Sequence, residues 1–137
     1  MSRLVTSLDD AGVPPGSNVY AELGSTWFLM LRRPREAAHV LGKLLHAVGE
    51  DRIVWGTDSV WYGAPQPLID AFRAFQIPER LQEEFGYPPL TATAKTKILG
   101  LNGAALYGVD VARARATAAA TREWLVPARR ELRSRLA

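Results

Sequence analysis

Apolar residues fall at Ala37, Val40, Leu41, Leu44, Leu45 and Val48, the i, i+3, i+4, i+7 spacing of a helix buried on one face. Pro34 suits its first turn and Gly49 supplies its stop, so the pattern predicts a helix over 34–48. The flanking segments lack that period. Asn18-Val19-Tyr20-Ala21-Glu22-Leu23 reads as a short strand stopped by Gly24-Ser25, after a turn-rich lead-in from Asp9 to Ser17. Arg52 to Gly56 reads as a second strand, and its apolar run without alternation suits a strand covered on both faces. Strand, helix and strand within about 40 residues make a βαβ unit, which requires a parallel pair and a right-handed crossover.

Downstream, the pattern turns helical. Leu68, Ile69, Phe72 and Phe75 give one buried face, broken at Ile77-Pro78, and Glu79 to Phe85 forms a short second helix. Thr91 opens a stretch through Ile98, Leu99, Leu101, Ala105 and Leu106 that ends at Gly108. Val111 to Ala137 is a further helix with Pro127 as a kink or first-turn residue. Two parallel-type strands among four or five helices place the chain in the α/β class. Such a pair cannot close a barrel and leaves both of its edges unpaired, so the pattern predicts a piece of a larger sheet.

Composition narrows the class of protein. The chain of 137 residues is 47% hydrophobic and 23% charged, ordinary for a globular domain, with no apolar run near the roughly 20 residues of a membrane helix. The absence of cysteine excludes disulfides and thiolate metal sites and agrees with a cytoplasmic location. No apolar signal-peptide core precedes Asp9-Asp10. Residues 111–137 hold seven Arg against two Glu, a net +5, which leaves residues 1–110 at −2 of the total +3. Residues 1–110 are therefore taken as one domain and 111–137 as a basic Ala/Arg-rich helix. No aromatic-plus-basic recognition motif accompanies that helix, so a solvated face is favoured over nucleic-acid binding.

The candidate chemistry centres on Asp58. The apolar run Ile53-Val54-Trp55 turns abruptly into Gly56-Thr57-Asp58-Ser59, presenting a carboxylate at the carboxyl end of a parallel strand, where ligands and catalytic groups collect in α/β proteins. Glu22 lies near the end of the other strand and can point into the same mouth, although pairing with an Arg is the favoured reading. Ser59, Trp61 and Tyr62 follow Asp58 and are candidates for a substrate pocket, with Trp27 in the corresponding place after the first strand. Aromatic residues in loops more often cover the core. For Asp58 itself, an N-cap or loop hydrogen bond weighs equally with catalysis. His39 and His46 stand seven residues apart on the helix before the second strand, without the i, i+4 spacing of a helical metal pair. Gly100-Leu101-Asn102-Gly103 follows no strand, so its glycines are expected to serve helix packing.

Three segments in order, Asn18 to Leu23, Asp51 to Ser59 and Lys97 to Gly108, resemble the C-terminal part of amidohydrolase-related proteins of the "amidohydrolase 2" type, over roughly Leu8 to Asp110. Relatives of that type include decarboxylases and lactone hydrolases. The resemblance implies a C-terminal fragment of a (β/α)8 barrel, in which Asn18–Leu23 and Ile53–Gly56 are the last two strands and Lys97–Tyr107 the closing helix. A whole barrel takes about 250 residues, so the isolated chain is incomplete. By resemblance, Asp58 is a ligand of a divalent metal, usually zinc, or the general base on the attacking water. The family's His-x-His pair and later strand-end histidines have no counterpart here, so metal is not expected to bind stably to the isolated chain. The implied activity is hydrolysis of a C–N or C–O bond, or decarboxylation, of a small-molecule substrate. The alternative is an inactive remnant or split half that needs a complementing chain or self-association.

Overall fold

The computed structural model describes residues 2–136, and within that range all side chains except those at 2, 62, 124, 128, 129, 132, 133, 135 and 136. It falls into two compact units, 1–103 and 104–137.

In the first unit, β1 (Ala21–Glu22) and β2 (Ile53–Val54) form a two-stranded parallel sheet, Ala21 opposite Ile53 and Glu22 opposite Val54. The ladder reaches one residue further, where Leu23 N–H donates to Val54 O at 3.1 Å. The strands are much shorter than Asn18–Leu23 and Arg52–Gly56 suggest, because each finds only one neighbour and the ends have no ladder to join. The parallel pairing is as expected, and it is bridged by α3 (Pro34–Ala47), which buries Ala37, Leu41, Leu44 and Leu45.

Several short helices escaped the pattern, including one at 59–62, where a loop was expected. Ser2–Asp10 is helical (α1) and packs Leu4, Val5 and Leu8 on the core, lying against α3. Gly24-Ser25, expected only to stop a strand, opens α2 (Gly24–Met30). Ser59–Tyr62 forms the one-turn α4, followed by α5 (Gln66–Ala74) and α6 (Glu79–Phe85), which ends on left-handed Gly86. Thr91 caps α7 (Ala92–Thr96) by accepting from Ala94 N at 3.0 Å. A π-helical turn at Lys97–Leu101 leads to α8 (Asn102–Leu106).

Aromatic rings tie the strand ends to the helices. Phe72 is fully buried, edge-on to Trp27 at 5.2 Å and tilted against Trp55 at 5.1 Å. Trp27 Nε1 donates to Leu68 O at 3.0 Å, and this tryptophan is buried in the core. Elsewhere Lys95 is buried with its ammonium on Arg73 O, a carbonyl of the last turn of α5, and burial pulls its pKa down. His39 Nδ1 lies 3.1 Å from the Tyr87 hydroxyl, whose pKa burial pushes up, and His46 is exposed.

The start of β2 is held by side chains of the π-helical turn and α8. Lys97 Nζ donates to Glu50 at 2.5 Å and Asp51 at 2.8 Å, and the hydrogen bonds to Asp51 and then Glu50 raise its pKa. Buried Asn102 donates through Nδ2 to Glu50 O and Ile53 O, both at 2.7 Å. The glycines around it do not serve helix packing, contrary to expectation. A Cβ on Gly100 or Gly103 would meet nothing within 4 Å, and the packing residue of that motif is Asn102. Asn102→Ala leaves two carbonyls without their donor and is expected to cost about 2–3 kcal/mol, read as a lowered urea midpoint at unchanged slope.

In the second unit, α9 (Val111–Leu136) is one helix with Pro127 inside it. Every side chain from 112 to 123 is exposed. No helix among the described residues is long and apolar enough to cross a membrane.

Candidate functional site

Beyond Val54 the chain runs through Trp55, Gly56 and Thr57 and then reverses at Asp58, whose φ of 46° makes it the one non-glycine residue in the left-handed region among those described. Asp tolerates that region better than most residues, yet the conformation still has a cost that the surroundings must over-determine. Asp58 precedes α4 in the N-cap position without making a side-chain cap bond. Thr57 Oγ1 instead accepts from Ser59 N at 3.2 Å. The Asp58 carboxylate reaches away from α4, and its Oδ2 accepts from Ser25 Oγ at 2.6 Å.

Glu22 converges on the same place from β1. Its Oε1 accepts from Gly24 N at 2.7 Å, and no ion pair to an Arg or Lys is seen among the described residues. Two glycines make the room. A Cβ on Gly24 would sit 2.5 Å from Glu22 Oε2 and 3.1 Å from Asp58 Oδ2, so both carboxylates border one point. A Cβ on Gly56 would overlap Glu22 Oε1. The end of β1 and the β2–α4 turn thus carry one carboxylate each, and the glycines allow both to crowd the sheet's carboxyl edge.

Ser59 is half-buried beside Asp58, and Trp61 points to solvent at 80% exposure with Val60 at 88%. The Tyr62 side chain lies outside the described residues. Asp58 and Glu22 are themselves exposed, so the site is an open edge rather than an enclosed pocket. A separate groove of about 390 Å³ between Pro34, Phe75, Pro78 and Leu81 contains none of these residues. Trp55 Nε1 is buried with no hydrogen-bond partner among the described residues, an orphan donor immediately before the Gly56 turn.

A family model described as amidohydrolase matches residues 13–109, which contain every part of this site. The chain belongs to the amidohydrolase family. No curated protein and no solved structure matches it. The matched span takes in both strands, the crossover helix α3 and α5 to α8, and leaves α9 outside.

The residues present do not by themselves fit the metal that amidohydrolases generally use. Among the described residues there is no group of three or more His, Cys, Asp or Glu able to hold an ion, and a catalytic zinc takes three protein ligands. The two histidines lie on α3, one of them engaged with Tyr87, and neither is at a strand end. Ser25 is the site residue that sequence reasoning missed. Its signal was the symmetry of the two strand ends, Gly24-Ser25 after one and Gly56-Thr57-Asp58-Ser59 after the other.

Proposed function

We propose that this chain supplies the last two βα units of a (β/α)8 barrel of amidohydrolase type, and that hydrolysis takes place in the completed barrel rather than in these 137 residues alone. The observation that carries the reading is Asp58, left-handed and uncapped, held at the carboxyl end of a parallel strand inside an amidohydrolase match. Two further features support it. Among the described residues the sheet has two strands of two residues each and Trp55 Nε1 finds no acceptor, as expected of a core whose other side is supplied from elsewhere.

In that barrel Asp58 takes a proton from the water that attacks a small-molecule ester, amide or lactone, a role that requires hydrogen-bond reach to the water and an ionised carboxylate. Any divalent metal, zinc in the first instance, would draw its remaining ligands from polypeptide outside the described residues. Trp61, with Ser59 and Tyr62, offers a wall to the substrate. A decarboxylase of the same family would use the same strand-end carboxylate, and assay of the completed barrel on both substrate types separates the two. The missing strands come either from an extension of this polypeptide or from a separate complementing chain. Sequencing the DNA around the gene tests this directly. A reading frame encoding a His-x-His strand upstream, in register or displaced by a frameshift, or in a co-transcribed neighbour, is the expected result. A locus with no such frame would sink the proposal.

A further inference from the structure

We propose that Ser25 is a positioning residue for Asp58, an inference that rests on the reading of Asp58 as the reacting carboxylate. Ser25 Oγ donates to Asp58 Oδ2 at 2.6 Å across 33 residues of sequence, joining the first turn after β1 to the turn after β2. An exposed aspartate has three staggered χ1 wells and a broad terminal torsion, so at a chain reversal its side chain does not hold one rotamer unaided. A short hydroxyl bond to an ionised oxygen is among the stronger ones and is directional. It occupies Oδ2 and leaves Oδ1 to face the water that gives up its proton.

Three neighbouring features act on the same pair of atoms. Asp58 sits at a left-handed chain reversal, and from there its side chain reaches Ser25 in the first turn of α2. Asp58 stands in the N-cap position of α4 yet makes no side-chain cap bond, so α4 does not hold the carboxylate. Gly24 keeps open the space beside Asp58 Oδ2, where a Cβ would crowd it at 3.1 Å. The bond is exposed, and a bond of that kind adds little to global stability, so its consequence is orientation.

The test separates this inference from the role of Asp58. In the full chain, three-bond couplings from Asp58 Cγ to its own backbone N and C′ report the χ1 population. One rotamer is expected in the wild type and in Ser25→Thr, and averaging over several in Ser25→Ala, with denaturation midpoints nearly the same. Unchanged couplings in Ser25→Ala overturn the proposal, and so does averaging in Ser25→Thr. In the completed barrel, Ser25→Ala is expected to lower kcat about tenfold to a hundredfold at unchanged KM, with Ser25→Thr recovering most of it. A rise in KM alone, or equal losses in both variants, contradicts a positioning role. Full activity in Asp58→Asn instead removes the reading of Asp58 on which the proposal stands, whatever the couplings show.

Discussion

Asp58→Asn is expected to lower kcat/KM of the completed barrel by about 10²–10⁴-fold, the range removed with a general base, while the fold is retained. The substitution isolates charge from geometry. Asn enters the left-handed region as readily as Asp, so the φ of 46° at this position remains accessible. The amide oxygen still accepts from Ser25 Oγ, and no helix cap is lost because the Asp58 side chain provides none. What disappears is the capacity to take a proton. Steady-state kinetics with the thermal midpoint as control decide it: loss of turnover at an unchanged midpoint is the expected outcome, and retained turnover removes Asp58 from the chemistry.

Phe72→Ala carries the largest expected effect on stability, a loss of about 3–5 kcal/mol. The ring is fully buried and touches Trp27 of α2 and Trp55 just past β2, so its removal opens a cavity where the two strand-end segments meet α5. Trp27 is not free to close the gap, since it is pinned through Nε1 to Leu68 O and is also edge-on to Phe75. Against the 5–15 kcal/mol that holds a typical domain, such a loss brings the chain close to unfolding. Urea denaturation followed by tryptophan emission measures it; a shift under about 1 kcal/mol would show that this cluster is not the keystone of the core.

How far the sequence could be read depended on whether each signal was local. The α3 stripe was complete in the sequence, because an amphipathic helix records its burial in its own period, and Ala37, Leu41, Leu44 and Leu45 are buried as the spacing requires. The parallel pairing followed from strand, helix and strand in order. Strand length did not follow, since a ladder depends on neighbours that the local sequence does not encode. The Gly24-Ser25 pair was read as a stop because both residues weaken a strand, whereas Gly24 serves the close approach of two carboxylates and Ser25 reaches one of them from 33 residues away. Asn102 was hidden for the same reason: the flanking glycines drew attention while the contact that matters runs from its side chain to carbonyls at Glu50 and Ile53. Asp58 was legible as the end of an apolar run, though its partner was not.

Chemistry in this amidohydrolase family member is expected to require strands beyond those described. The most direct measurement is made on the purified 137-residue chain, with bound zinc, oligomeric state and hydrolysis of an ester and amide panel determined on one sample. The account predicts less than stoichiometric zinc and no turnover above buffer. A monomer carrying one zinc per chain and hydrolysing a panel substrate would contradict it.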